Sequence, residues 1–291
     1  MKSERQGSER PTKESQADGS QTNESQTNKM WALVSGASSG IGRATALAFT
    51  QAGYNLYILG RRDDRLQSLK AEILSAYPNH EVRVGVFDIT QKSQVEAFVQ
   101  QEQRHLEKVD VLINNAGLAR GTEKLQDGKI ADWESMIDTN IKGVLYLTRA
   151  ILPAMIQRRS GGHIINIGSV AGRWVYPGGG VYCATKFAIR ALSEGLRLDL
   201  QGTGIRVTNI EPGMVKTEFS KVRFGSQPDA EKLANAVYEG MTPLSAKDIA
   251  ETAIWCASRP NHVNIQEVVI FPTDQAAVGP NYVNRKVQKN D

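Results

Sequence analysis

Short apolar runs and amphipathic segments alternate along most of the chain. Each apolar run has the length of a strand buried on both faces of a parallel sheet, and the segments between the runs have helical spacing. The seven runs cover residues 30–34, 55–59, 82–87, 109–113, 163–167, 205–210 and 268–271. This alternation predicts an α/β fold in a single domain, with a doubly wound, mostly parallel, seven-stranded sheet and helices on both faces.

Two of the segments between the runs differ from an ordinary helix. The long segment 130–158 contains Pro153, and we expect it to break or bend there because proline lacks the backbone N–H of a helical hydrogen bond. After Pro212 and Gly213 the pattern loosens, and we expect 214–240 to form a helical flap that covers the substrate. The ordinary helices are expected at 44–52, Asp63–Ala76, 93–105, 182–200 and Ala246–Ala257.

Both ends of the chain are polar. Residues 1–29 carry almost no apolar side chain and repeat Ser-Gln and Thr-Asn pairs. Such a segment cannot bury enough surface to offset its ordering entropy, so we expect a disordered tail. It also lacks the apolar core of a secretory signal. A second tail is expected at 276–291, which leaves 30–275 as the folded domain.

The charge balance and the cysteine count narrow the class of protein. The net charge is +4, but the basic residues are scattered among acidic ones, which argues against a nucleic-acid surface. No run of about 18 apolar residues is present, so no membrane span is expected. The two cysteines, Cys183 and Cys256, lie far apart, and the four histidines are dispersed. This pattern predicts neither a disulfide framework nor a metal site, and it suits the cytoplasm.

A glycine-rich turn follows the first apolar run. Residues 35–42 read Ser-Gly-Ala-Ser-Ser-Gly-Ile-Gly and lead into a helical pattern. A strand, a glycine-rich turn and a helix form the context of a dinucleotide site, because glycines admit the pyrophosphate and the helix start offers N–H groups to it. The spacing GxxxGxG is only a partial signal, since glycines also serve ordinary turns.

Arg61 and Arg62 follow the second run, about 20 residues beyond the glycine-rich turn. NAD sites commonly have a carboxylate near this position, whereas NADP sites favour arginine. A guanidinium binds a phosphate through two parallel hydrogen bonds and keeps its charge. We therefore favour binding of a 2′-phosphate over the alternative of a solvated basic loop.

Tyr182 and Lys186 lie four residues apart in a predicted helix, which brings the phenol and the ammonium onto one face. A nearby positive charge is expected to lower the tyrosine pKa toward the working range of a general base. Ser169 follows the run 163–167 and could hydrogen-bond the same substrate oxygen. Taken alone, the Tyr–Lys pair also fits an ordinary helical face.

Together these stretches resemble the short-chain dehydrogenases/reductases, over residues 30–275. The resemblance rests on motifs in a fixed order: Gly36-x-x-x-Gly40-Ile41-Gly42, Asp88, Asn114-Asn115-Ala116-Gly117, Asn140, Ser169, Tyr182-x-x-x-Lys186 and Pro212-Gly213. It implies a Rossmann-like fold and hydride transfer between NADP(H) and an alcohol or ketone. The first motif opens with Ser35 where the family usually has threonine, and the hydroxyl is retained.

The resemblance also implies roles for single residues. Tyr182 would be the general acid/base and Ser169 would hold the reacting oxygen. Lys186 would lower the tyrosine pKa and bind the nicotinamide ribose, and Asn140 would support a proton relay through water. The implied cofactor contacts are Gly36, Ser38, Ser39, Gly40, Ile41, Gly42, Arg61, Arg62, Asp88, Ile89, Asn115, Ala116, Gly117, Tyr182, Lys186, Pro212, Gly213, Val215 and Thr217.

Further segments, including Thr217-Glu218-Phe219-Ser220, are similar to the NADP-dependent 3-hydroxy acid (serine/allo-threonine) dehydrogenases within this family. That likeness implies a carboxylate on the substrate, for which Arg173 or Arg223 could be the receptor. It also implies a homotetramer or dimer, in which the apolar faces around 145–156 and 188–200 could pair. The alternatives are a reductase of a less polar carbonyl (3-oxoacyl, steroid-like or xenobiotic) and, more remotely, a catalytically silent NADP-binding sensor.

Overall fold

The computed structural model describes residues 29–225 and 227–278, and its centre is one sheet of seven parallel strands. The strands are β1 Trp31–Ser35, β2 Asn55–Gly60, β3 Val82–Val86, β4 Val109–Asn114, β5 Gly162–Ile167, β6 Ile205–Pro212 and β7 Glu267–Ile270. Their order in the sheet is β3-β2-β1-β4-β5-β6-β7, and each neighbouring pair is parallel. The predicted fold class is confirmed.

Helices cover both faces of this sheet, as the apolar runs require. One core cluster packs Phe49, Ile73 and Ile249 against one face, and the other packs Phe98 and Leu147 against the opposite face. The helices are α1 Gly40–Gln51, α2 Asp63–Ala76, α3 Lys92–Leu106, α4 Ile130–Ile137, α5 Val144–Arg158, α6 Gly180–Asp199, α7 Phe219–Phe224, α8 Ala230–Ala236 and α9 Ala246–Ala257. No helix in these described ranges is long and apolar enough to cross a membrane.

The interruption in the segment 130–158 does not fall where the sequence predicted it. Helix α5 runs through Pro153 to Arg158. Pro153 lies on the exposed side of α5, where water can bond the carbonyl that loses its donor. The irregular stretch is instead a π-helical turn, Asp138–Gly143, between α4 and α5. A break at Pro153 is therefore wrong, and a bend there stays a prediction.

The parallel topology brings the carboxyl ends of the strands to one edge of the sheet. The chain leaves β1 toward β2 on one side and continues from β4 toward β5 on the other, so a crevice opens between β1 and β4. Ligands of such sheets bind in this crevice. Helices α7 and α8 form the segment expected to be a flap. The expected tail at 1–29 lies almost wholly outside the described residues, and so does most of the tail at 276–291.

Candidate active site

The turn after β1 has the geometry of a phosphate-binding loop. Gly36 and Gly40 have φ of +68° and +54°, a region that side chains rarely adopt. A Cβ on Gly42 would collide with the carbonyl oxygen of Gly36, so α1 packs closely on the turn. No side chain caps the start of α1, and its first turn holds no acidic residue. Its N–H groups therefore remain available to an anion, which fits the pyrophosphate of a dinucleotide.

Ser35 joins this turn to the end of β4. Its hydroxyl accepts hydrogen bonds from the backbone N–H groups of Asn115 and Ala116, both at 3.1 Å. The Asn115 side chain in turn donates to the Ser35 carbonyl oxygen at 2.9 Å. These bonds fix the two loops that border the crevice, and they use the hydroxyl that serine shares with threonine.

Both arginines after β2 make polar contacts at the crevice. Arg62 donates to the hydroxyls of Ser38 (2.9 Å) and Ser39 (2.7 Å) in the glycine-rich turn. Arg61 pairs with Asp88 at 3.3 Å. Burial alone would raise the pKa of Asp88, but hydrogen bonds from Thr90 and the Arg61 charge hold it below its usual value. The carboxylate of Asp88 is thus ionised at neutral pH.

Ser169, Tyr182 and Lys186 lie together at the end of β5 and the start of α6. Tyr182 and Lys186 are buried, and the Lys186 amine lies 5.9 Å from the centre of the tyrosine ring. That amine donates to the carbonyl oxygen of Ile167 at 2.9 Å. The Ser169 hydroxyl accepts from the N–H of Ala171 at 3.1 Å, so its own proton can be donated to the oxygen of Tyr182 or of a ligand.

The pKa of Tyr182 does not shift in the predicted direction. Burial raises it above its ordinary value and Tyr176 adds to the rise, while hydrogen bonding to Ser169 and the charge of Arg223 oppose it. Burial also lowers the pKa of Lys186, to about 8. The predicted fall of the tyrosine pKa is therefore not seen in this arrangement, because desolvation of the phenolate outweighs the nearby charges. That Lys186 lowers this pKa stays a prediction.

Asn140 lies behind the site, in the π-helical turn. Its amide nitrogen donates to the carbonyl oxygen of Leu118 (2.8 Å) and to the Thr185 hydroxyl (3.0 Å). Its amide oxygen accepts from the N–H of Leu118 at 2.9 Å. The side chain thus ties the loop after β4 to α6, the helix that carries Tyr182 and Lys186. Both N–H groups of its amide are used within the protein.

These groups surround one cleft of about 350 Å³. Most of the predicted residues line it: Gly36, Ser38, Ser39, Gly40, Ile41, Arg61, Arg62, Asp88, Ile89, Asn115, Ala116, Gly117, Ser169, Tyr182, Lys186, Pro212, Gly213, Val215 and Thr217. Gly42 and Asn140 are not in this lining and support it from behind. The lining also includes residues that the sequence analysis missed, among them Leu118, Thr139, Glu218, Phe219 and Val222.

Arg173 is not in this lining. Its guanidinium pairs with the carboxylates of Glu211 and Glu267, and Arg190 pairs with Glu267 as well. Glu211 is fully buried, so its charge needs this partner. Arg173 therefore pairs with carboxylates of β6 and β7 outside the cleft lining, which argues against the expectation that it receives a substrate carboxylate.

Arg223 lies beside the site, although it is not in the cleft lining. Its guanidinium stacks over the ring of Tyr176 at 5.3 Å and donates to the carbonyl oxygen of Gly121 at 3.2 Å. The N–H of Gly121 donates to the Arg223 carbonyl oxygen at 3.1 Å. On the same helix, α7, Phe219 lies with its ring centre 5.7 Å from that of Tyr182. The flap therefore contacts both the loop after β4 and the predicted catalytic tyrosine.

The fold and this cleft define a dinucleotide-dependent oxidoreductase, and comparison with known proteins identifies the family. The short chain dehydrogenase family matches residues 30–227, and the chain belongs to it. The chain is 46% identical to the NADP-dependent 3-hydroxy acid dehydrogenase YdfG of Salmonella typhi, over 86% of its length and 98% of the relative. It is 43% identical to sulfoacetaldehyde reductase 2 of Chromohalobacter salexigens, over 84% and 94% of the two chains.

A solved structure is similar over the same region. The closed form of serine dehydrogenase complexed with NADP+ is 43% identical, with a TM-score of 0.78, and the match covers 86% of this chain and 98% of that one. The family and subgroup to which the sequence motifs pointed are thus confirmed.

Proposed function

We propose that the chain catalyses the reversible oxidation of a short 3-hydroxy acid, such as serine, allo-threonine or 3-hydroxyisobutyrate. As a member of the family with NADP-dependent relatives, it is an NADP(H)-dependent oxidoreductase of alcohols and carbonyls. One observation carries the proposal: Ser169, Tyr182 and Lys186 line the same cleft as a glycine-rich turn that can receive a dinucleotide.

The residues of the cleft fit the parts of the cofactor. The start of α1 would hold the pyrophosphate, and Arg61, Arg62, Ser38 and Ser39 would receive the 2′-phosphate. The other cofactor contacts would come from the residues after β3, β4 and β6: Asp88, Ile89, Asn115, Ala116, Gly117, Pro212, Gly213, Val215 and Thr217. When bound, NADP+ supplies the acceptor for the hydride that leaves the substrate carbon.

The proton transfer is assigned to Tyr182. In oxidation its phenolate would take the proton of the substrate hydroxyl, and in reduction its phenol would return a proton to the carbonyl oxygen. Ser169 would donate a hydrogen bond to the same oxygen, and Lys186 would bind the ribose. Asn140 would act as a positioning residue, because its side chain is bonded to Leu118 and Thr185.

Arg223 is our candidate receptor for the substrate carboxylate. It lies on the flap helix α7, and its positive charge acts to lower the pKa of Tyr182. Phe219 and Val222 of the same helix line the cleft, so the flap offers both apolar contacts and a cation. A less polar carbonyl would use the apolar contacts alone. An experiment must therefore distinguish this substrate class from the 3-hydroxy acids.

A substrate panel with Arg223→Gln tests this function. We expect NADP+-dependent turnover of serine, allo-threonine or 3-hydroxyisobutyrate, and a KM for the acid that is roughly tenfold or more higher in Arg223→Gln, because a charge-assisted hydrogen bond is lost. The KM of a neutral secondary alcohol should change little. Lys221→Gln on the same helix is the matched control, since Lys221 is exposed and pairs with Glu231.

The contrary outcomes separate the alternatives. Turnover of apolar ketones with no turnover of any 3-hydroxy acid would favour the less polar carbonyl. Tyr182→Phe should lose orders of magnitude in kcat and keep its affinity for NADP+, because the acid/base group acts mainly in the transition state. Unchanged turnover in Tyr182→Phe would contradict the mechanism, and an inactive wild-type protein that binds NADP+ would be the silent sensor.

A further inference from the structure

The flap carries a carboxylate that bridges two arginines beside the glycine-rich turn. Glu218 accepts from Arg62 at 3.0 Å through one oxygen and from Arg65 at 2.6 Å through the other. The same Arg62 guanidinium donates to Ser38 and Ser39. Arg62, one of the donors that we assign to a 2′-phosphate, thus already binds an anionic group of the protein.

Carboxylates and phosphates compete for the same donors, because both present paired oxygens to the planar guanidinium. A phosphate monoester carries more charge at neutral pH than one carboxylate and has three acceptor oxygens. Glu218 is only half buried, so its carboxylate can turn out into water at little cost. Hydrogen bonds from Arg65 and Arg62 hold the pKa of Glu218 below its usual value, so it is fully charged at neutral pH.

A second cavity gives the phosphate room on the Arg65 side. It has a volume of about 520 Å³ and shares Ser38, Ser39 and Glu218 with the main cleft. Arg65 and Lys216 line this cavity and not the main cleft. Arg65 belongs to the first turns of α2, one helical turn beyond Arg62. Its guanidinium can therefore reach a phosphate that Arg62 also binds.

We propose that the Glu218 carboxylate occupies the position on Arg62 and Arg65 at which the cofactor's 2′-phosphate binds. The carboxylate is displaced when that phosphate binds. This inference rests on the proposed NADP dependence and deepens it. Arg65 becomes a further residue that determines cofactor specificity. Glu218 immediately precedes α7, so binding of the phosphate releases the end of the flap that is nearest to the adenosine site.

Binding calorimetry on the full chain tests the displacement without any turnover. The two probes are adenosine 2′,5′-bisphosphate, which carries the 2′-phosphate, and 5′-AMP, which lacks it. Glu218→Gln should bind the bisphosphate about fivefold tighter than wild type, because an exposed ion pair no longer has to be broken. Arg65→Gln should bind it roughly tenfold weaker. Neither variant should change its affinity for 5′-AMP by more than about twofold.

Two variants control for charge alone. Glu231→Gln removes a carboxylate from the same flap, where Glu231 pairs with Lys221. Lys70→Gln removes a cation from α2. Both should leave the preference for the bisphosphate within about twofold of wild type. Thermal unfolding of each variant verifies that it is folded before it is titrated.

The possible failures can be told apart. If wild type prefers the bisphosphate but Glu218→Gln binds it no tighter, the displacement is refuted and the NADP assignment stands. Weaker binding in Glu218→Gln would likewise refute it, since the carboxylate would then assist the phosphate. If wild type binds both probes equally, the NADP dependence itself is overturned.

Discussion

At the scale of single residues, burial governs the protonation of the proposed acid/base group. The pKa of Tyr182 is raised above its ordinary value of 10.0, so the phenol stays protonated throughout the neutral range. A protonated phenol suits carbonyl reduction, which needs a proton donor, whereas alcohol oxidation needs the scarce phenolate. The two directions of the reaction should therefore respond to pH in opposite senses.

This leads to a pH profile as the residue-scale prediction. In the oxidation direction, kcat/KM should rise with pH from 7 to beyond 9, because deprotonation of Tyr182 becomes less unfavourable as pH increases. With a neutral secondary alcohol, whose KM should change little, Arg223→Gln should move the rise to higher pH, since the Arg223 charge lowers the tyrosine pKa. Lys221→Gln should leave the rise unchanged. A plateau below pH 8 in wild type would contradict this, because it would show that a neighbouring cation lowers the pKa of Tyr182 into the neutral range.

At the scale of secondary-structure elements, Arg173 fixes the short turn that follows β5. Ser169 caps the 3₁₀ turn Val170–Gly172, and Arg173 comes next, where it pairs with Glu211 on β6 and Glu267 on β7. Arg173→Gln should destabilise the fold by roughly 3 kcal/mol, because the buried Glu211 loses its partner. It should also lower kcat roughly tenfold through a displaced Ser169.

Arg190→Gln is the matched variant for this prediction. Arg190 contacts only the partly exposed Glu267 among these carboxylates, and its loss should cost less than about 1 kcal/mol. Urea unfolding measures the stability of both variants, and steady-state kinetics with a separate titration of NADP+ measures kcat and cofactor affinity. Equal effects of the two substitutions would contradict a special role of Arg173.

At this scale, the sequence predicts the strands and helices that a local residue pattern determines. Each strand follows from an apolar run, and α9 spans the predicted residues Ala246–Ala257, with its start fixed by a capping box of Ser245 and Asp248. The π-helical turn and the continuity of α5 through Pro153 depend on packing instead. The Glu218 pairs join residues 156 and 153 positions apart, which no local pattern can reveal. The role of Arg173 was missed for the same reason.

At the scale of the whole molecule, the parallel sheet is what makes the candidate site predictable. Residues from the ends of β1, β2, β4, β5 and β6 meet at one edge because neighbouring strands all run in the same direction. Sequence motifs far apart along the chain could therefore be assigned to one crevice before any distance was known. The outer faces of the helices are not constrained by this topology in the same way. The last prediction concerns two of these faces.

We expect the chain to form a homo-oligomer through the outer faces of α5 and α6. Leu145 and Ile156 on α5 are 43% and 41% exposed, and Leu198 on α6 is 57% exposed. Large apolar side chains grouped on exposed faces favour association. Light scattering should give a dimer or tetramer of the 31.9 kDa chain. Leu145→Glu should shift it to smaller species, because a charge would be buried without a partner.

The control for this prediction is Val86→Glu. Val86 is 47% exposed but ends β3, which is an edge strand of the sheet, whereas α5 and α6 pack near β4 and β6. This charge should therefore leave the assembly unchanged. Cofactor binding by both variants should match wild type, since neither side chain lines the cleft. A monomeric wild type would contradict the prediction, and so would an assembly that Val86→Glu disrupts and Leu145→Glu does not. The second result would assign association to another surface, and both results would leave the chemistry of the cleft untouched.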